Sequence, residues 1–210
     1  MKVVSIIPAR GGSKGIPRKN MIDLNGNPLI SYTINASLKS NVDETWVNSE
    51  DVEILSFSKK CGAKTFLRPQ ELATDESSSE SVLLHFAQNI EFDILVFIQA
   101  TSPLLKPRHI NKGIELMKDY DSVTSVYKET WVAKFDSKGK PIGWRINKRP
   151  RRQDADTIFV ENGALFVTTK ENLLRSRMRY SGEIGFVKMP FSESFDINSY
   201  DDLNLIKKLL

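Results

Sequence analysis

The chain has 210 residues, enough for one domain with a substantial core, and its 40% hydrophobic and 27% charged residues are ordinary for a globular protein. A net charge of +4, gathered in two clusters rather than along a tail, favours an anionic small substrate over a general nucleic-acid surface. One cysteine, Cys61, excludes an internal disulfide framework, two histidines argue against a structural zinc site, and the apolar start before Arg10 is too short for a signal peptide or membrane span; the expectation is a cytoplasmic protein.

Residues 3–7 form a short apolar run that reads as a buried first strand. It empties into Arg10-Gly11-Gly12-Ser13-Lys14-Gly15-Ile16-Pro17-Arg18-Lys19-Asn20, with three glycines and four basic side chains in eleven residues. Glycines let a backbone approach a ligand closely and aim its N–H groups at it. Arg10, Lys14, Arg18 and Lys19 supply positive charge for phosphate oxygens. Such a loop suits a nucleoside triphosphate, although neither GxxxxGK[ST] nor GxGxxG is present; a tight, solvated basic turn is the plainer alternative. Asn25-Gly26-Asn27-Pro28 marks a turn. A helix over 29–38, a strand at 45–47, a helix over 52–60 ending at Gly62 and a strand at 63–67 follow. This alternation predicts an α/β fold, a mostly parallel sheet with helices on both faces.

Arg68 opens a polar segment ending in Ser77, Ser78 and Ser79, ahead of an apolar helix over 82–87. One of these serines would cap the helix, and the others could face a ligand. Residues 93–98 are so apolar that they should form a central strand. The strand ends in Gln99-Ala100-Thr101-Ser102-Pro103-Leu104, where parallel sheets bind ligands. Gln99 there can hydrogen-bond a base or ribose, or simply terminate a strand. A helix over 107–117 places Ile110, Ile114 and Met117 near one face, with His109 expected on the surface. A strand at 121–127 precedes a stretch, 130–147, that contains Trp131, Trp144 and the turn 136–140. It suggests an inserted β-hairpin or flap, the best candidate for a dimer contact or lid. The second basic cluster, Lys148-Arg149-Pro150-Arg151-Arg152, could by itself be a nuclear import signal or nucleic-acid patch. The three tryptophans all lie outside basic stretches, which argues against nucleic acid as a partner. Asp196 and Asn198 are one residue apart, and Ser199-Tyr200-Asp201-Asp202 reads as the cap of a final helix over 203–210.

ARGGSKGIPRKN at 9–20 looks like the signature of the cytidylyltransferases that activate sialic acids and related 2-keto-3-deoxy sugar acids. The segment 68–79, QATSPL at 99–104, and KRPRRQD at 148–154 followed by ENG at 161–163 resemble the same family, nearest in motif to its animal-type CMP-sialic acid synthetases. The resemblance covers nearly the whole chain. It implies a three-layer, Rossmann-like, nucleotide-diphospho-sugar transferase-like fold in a single domain, 1–210. It also implies transfer of a cytidylyl group from CTP to an acidic nine-carbon keto sugar, with Mg²⁺ or another divalent cation as cofactor and a homodimer as the assembly. By the same resemblance Arg149 and Lys14 are catalytic. Arg10, Gly11, Lys19, Asn20, Arg68, Ser77, Ser79, Gln99, Glu161 and Asn162 bind nucleotide or substrate, and Asp196 holds the metal. The family carries Asp-Ile-Asp where this chain has Asp196-Ile197-Asn198, so one ligand brings no charge unless Asp201 substitutes. A Kdo-type or other sugar nucleotidylyltransferase would be expected to lack KRPRRQD with ENG. A degenerate nucleotide binder is the other alternative, and the sequence marks no general base.

Overall fold

Apolar runs of the sequence become seven strands: β1 (Val3–Pro8), β2 (Glu44–Ser49), β3 (Lys64–Leu67), β4 (Ile94–Ile98), β5 (Ser122–Lys128), β6 (Phe159–Thr169) and β7 (Ile184–Met189). The computed structural model describes residues 1–130 and 132–210, so Trp131 lies outside the described residues. The strands form one sheet in the order β7-β5-β6-β4-β1-β2-β3. All neighbours are parallel except β6, which runs antiparallel to both β4 and β5. β4 is buried along its whole length between β1 and β6, the central place its unbroken apolar run demands.

Alternation along β1 builds the layers. Val3 and Ile7 face Ile30 and Ile34 of α1 (Leu29–Leu38), Ile54 of α2 (Val52–Lys60) and Ile110 of α4 (Pro107–Leu116). Val4 and Ile6 face Val82, Leu83 and Phe86 of α3 (Ser79–Asn89) and Leu173 of α5 (Lys170–Ser176). Each such side chain contributes about 1.5–3 kcal/mol on burial. A third cluster joins Leu203 and Ile206 of α6 (Tyr200–Leu209) to Ile16, Leu24, Leu104 and Ile197. Through Ile16 it ties the basic loop to the body of the protein.

Local signals act where the sequence put them. Asp51 caps α2 by accepting from the N–H groups of Glu53 (2.8 Å) and Ile54 (3.2 Å). Ser78 is the serine that caps α3, accepting from Ser81 N–H at 3.1 Å. Ser199 and Asp202 form a reciprocal capping box on α6. Asn25 and Gly26 take φ of 52° and 83°, the pair of positive values that a two-residue hairpin requires. In the flap, Lys134–Phe135 pairs with Pro141–Ile142, and Asp136 accepts from the N–H groups of Lys138 and Lys140.

His109 departs from its expected surface position: it is buried. It stands at the third position of α4, where Nδ1 accepts the N–H of Lys106 at 3.2 Å, a capping service no lysine side chain supplies. Its Nε2 lies 3.1 Å from Glu193, which also binds Lys106 and Arg108.

Candidate active site at the ends of β1 and β4

From β1 the chain winds outward through β2 and β3, then crosses back to β4 on the other side of β1. The loops after β1 and β4 therefore diverge and open a crevice at the carboxyl ends of the strands. A cleft of about 430 Å³ lies there. Of the residues singled out from sequence, Arg10, Lys14, Lys19, Asn20, Arg68, Ser77, Ser79 and Gln99 line it, together with Asp75, Ser78, Thr101 and Asn198. Gly11, Arg149, Glu161, Asn162 and Asp196 are not among the lining residues.

The basic loop is organised by acidic and amide partners from other elements. Gly11 donates its N–H to Glu50 at 2.7 Å, and a Cβ at Gly11 would lie 2.6 Å from the Asp51 carboxylate. Glycine here permits close packing against the start of α2, and its N–H is already engaged. Asn20 donates to the carbonyl of Arg10 at 2.9 Å and so fixes the loop's entry and exit together. Lys19 donates to the carbonyl of Ile197 at 2.9 Å; burial lowers its pKa, Asp196 opposes that shift and Arg10 adds to it. Arg10 and Lys14 share one carboxylate, Asp75, at 2.7 and 3.3 Å, and the Arg10 hydrogen bond holds that carboxyl below its usual range.

Arg68 is 6% exposed. Its Nε donates to Asn48 Oδ1 at 2.7 Å and a terminal nitrogen to the Asn48 carbonyl at 2.9 Å. Burial lowers its pKa to about 10 against the opposing charge of Glu50, so it stays cationic at neutral pH. Ser77 bonds the hydroxyl of Thr74 (2.8 Å) and the carbonyl of Glu71 (3.0 Å), while Ser79 begins α3. Gln99 donates its N–H to Ala164 and accepts from Ser102 N–H, both at 3.2 Å. Sequence reasoning missed Asn48, Glu50 and Asp75, whose partners lie in distant segments.

The ENG stretch sits in β6. Glu161 is exposed, with a carboxyl raised by partial desolvation against the pull of Arg179. Asn162 is buried, and its amide is bonded within the sheet rather than presented to the cleft. Arg149 lies in a separate groove of about 800 Å³ with Trp144, Lys148, Arg151, Asp154 and Ile158.

Asn198 lines the cleft and donates its amide to Asp196 at 2.8 Å. Asp202 is engaged by the N–H groups of Asn198 and Ser199, and Asp201 is exposed. Among the described residues, no group of three or more His, Cys, Asp or Glu could hold a metal ion. One carboxylate and one amide oxygen nevertheless fit Mg²⁺, which takes few protein ligands and completes its shell with phosphate and water.

Residues 4–209 match a family model described as cytidylyltransferase. N-acylneuraminate cytidylyltransferase B of Danio rerio is 36% identical over 203 residues, which cover 92% of this chain and 48% of that protein. CMP-N,N'-diacetyllegionaminic acid synthase of Legionella pneumophila is 32% identical over 229 residues, 100% of this chain and 97% of that protein. The chain thus spans about half the length of the first relative and nearly all of the second. In fold it resembles CMP:2-keto-3-deoxy-manno-octonic acid synthetase complexed with CTP, with a TM-score of 0.77 over 100% of this chain and 98% of that one, at 19% identity.

Proposed function

Because the chain belongs to the cytidylyltransferase family, we propose that it joins CTP to a nonulosonic, sialic-type acid, giving the CMP-sugar and pyrophosphate. The observation that carries this reading is the convergence of Arg10, Lys14, Lys19 and Arg68 on one cleft at the carboxyl ends of β1 and β4. In the reaction the anomeric hydroxyl of the sugar releases its proton to solvent as its oxygen bonds to the α-phosphorus, the bond to the bridging α–β oxygen breaks, and pyrophosphate leaves. Chemistry of this kind depends on positioning and charge neutralisation.

Arg10 and Lys14 exchange the Asp75 carboxylate for triphosphate oxygens, and Lys19 binds a neighbouring oxygen. Arg68, Ser77, Ser79 and Gln99 hold the nucleoside, while Asn20 keeps the loop in shape. Asp196 and Asn198 would hold Mg²⁺, Asn198 turning its amide oxygen to the ion. A bound ion would neutralise phosphate charge and assist the leaving group. Arg149 has the fork geometry to bind the sugar carboxylate. Its groove lies apart from the cleft, so the reading includes a homodimer in which the flap, with Val132, Phe135, Ile142 and Ile146 exposed, meets a second copy. No helix among the described residues is long and apolar enough to cross a membrane.

Pyrophosphate release from CTP with Mg²⁺, across a panel of Neu5Ac, Kdn, legionaminic, pseudaminic and Kdo acceptors, tests the proposal. Release that requires one nonulosonic acid is the expected result. Release with Kdo alone would identify a Kdo-type enzyme, and CTP binding without release to any acceptor would leave a nucleotide-binding protein.

A further inference from the structure

Pairing between β6 and β5 is interrupted: Glu161 lies opposite Val126 and Phe166 opposite Thr124. Residues 162–165 therefore face Ser125 alone. Such a bulge bends its strand and re-aims the residues at its crest. Ser125, fully buried, closes it from the β5 side. Its hydroxyl donates to Asn162 Oδ1 at 2.6 Å and accepts the N–H of Leu165 at 2.9 Å. Asn162 Oδ1 also accepts the N–H of Ala164 at 3.3 Å, and its Nδ2 donates to Met189 Sδ at 3.2 Å. Asn162 thus has partners for both ends of its amide inside the sheet.

The crest of the bulge is linked to the cleft through Gln99, which lines it. Ala164 accepts the N–H of Gln99 at 3.2 Å. Gly163 has a φ of +71°, and a Cβ built there would stand 3.8 Å from Gln99 Nε2. The Gln99 amide thus lies on the side of Gly163 where a side chain would project, and the glycine's backbone is held by Asn162 on one side and Ala164 on the other. A shift of the crest moves Gln99 in the cleft. A buried hydrogen-bonded clasp is suited to prevent that shift, because breaking it leaves donors and acceptors unpaired.

We propose that Ser125, acting through Asn162, is a positioning residue that sets the Gln99 amide for nucleotide recognition. This rests on the reading of Gln99 as a nucleotide contact, and it gives Asn162 a supporting role in place of a substrate contact. The arrangement was invisible in the sequence because Ser125 precedes Asn162 by 37 residues.

The experiment is a double-mutant cycle on the Kd for CTP, measured by titration calorimetry on the full chain, with thermal melting alongside. Gln99→Ala should weaken binding about tenfold, the loss of one well-made hydrogen bond. Ser125→Ala should weaken it about fivefold, and the double variant should be no weaker than Gln99→Ala alone. Ser125→Thr, which keeps the hydroxyl, should restore the wild-type Kd. Additive losses, or a lowered melting temperature with an unchanged Kd, would overturn the positioning role. An unchanged Kd in Gln99→Ala would remove the nucleotide reading of Gln99 itself, a separate failure visible in one variant. If Ser125→Ala does not fold, Gly163→Ala strains the crest from the other side and enters the same cycle. Its effect should vanish when Gln99 is already alanine, and persistence there overturns the proposal.

Discussion

The two basic clusters look alike in sequence and differ in the fold. In the first, each cation that faces the cleft is held from a distant element: Arg10 and Lys14 by Asp75, Lys19 by the carbonyl of Ile197. Ile16, wholly buried, anchors the loop between them. In the second, Arg151 pairs with Asp154 three residues on, Arg152 reaches Thr130, and Lys148, Arg149, Arg151 and Arg152 are exposed. Exposed pairs of that kind are worth about 0–1 kcal/mol. Lys14 with Asp75 is as exposed as Arg151 with Asp154, so the contrast lies in the long-range partners of Arg10 and half-buried Lys19 and in the buried Ile16. The difference teaches that charge density nominates a loop, while its place at a strand end and an apolar anchor gather its cations on one cleft.

The largest effect that tests this contrast is Arg10→Ala. It removes the cation that can bind the triphosphate in a fork, and kcat/KM for CTP should fall about 100- to 1,000-fold in a pyrophosphate assay. Arg152→Ala should change it by about twofold or less, as for other exposed charges. Equal losses in the two variants would erase the distinction between the clusters.

Arg149 sharpens the same comparison, since it belongs to the exposed cluster and yet carries a proposed role. Arg149→Ala should lower kcat about 100-fold with a small change in the Kd for CTP, the pattern of a group engaged after nucleotide binding. Mixing Arg10→Ala with Arg149→Ala copies should restore part of the activity if the flap serves a second chain. Mixtures as inactive as their parts would place both residues in one copy's site.

The legible parts of the sequence were those fixed by short-range pattern. Apolar runs such as Ile94–Ile98 gave strands, and Ser199 with Asp202 gave a cap, because neighbouring residues decide both. Apolar spacing places the start of α3 at 82, whereas Ser78 caps a helix that begins at Ser79, since its polar first turn hides the period. The cleft residues of the loop were visible, but the partners that hold them were not. Asn48 binds Arg68 across 20 residues and Asp75 binds Arg10 across 65, and no local signal announces either pair. Asn162 is hard to read for the opposite reason: next to a glycine it suggests a turn or a ligand, and only the pairing register, with residues 162–165 opposite Ser125 alone, shows a bulge.

Asp75 offers a smaller test. It occupies Arg10 and Lys14 with negative charge at the place proposed for the triphosphate, so Asp75→Asn should tighten CTP binding about threefold to tenfold at low salt and less at high salt. Weaker binding instead would mean that the carboxylate orients the two cations rather than competing for them.

The last test concerns stability rather than binding, in a region away from both clusters. Burial first, then the charge of Arg108, lowers the His109 pKa to about 4 despite Glu193 nearby. The folded state therefore keeps the imidazole neutral where the unfolded chain, with its pKa near the ordinary value of about 6.5, takes up a proton. Protons favour the unfolded state in that window, and stability is lost as pH falls from about 6.5 towards 4. At pH 5 the loss should be on the order of 2 kcal/mol, a few degrees in melting temperature. His109→Asn retains an acceptor for the Lys106 N–H without a titrating ring. Melting curves at pH 6.5 and 5 should therefore diverge less in the variant than in the wild type. Equal divergence would assign the acid sensitivity to carboxylates, with Glu193 among the groups facing this histidine.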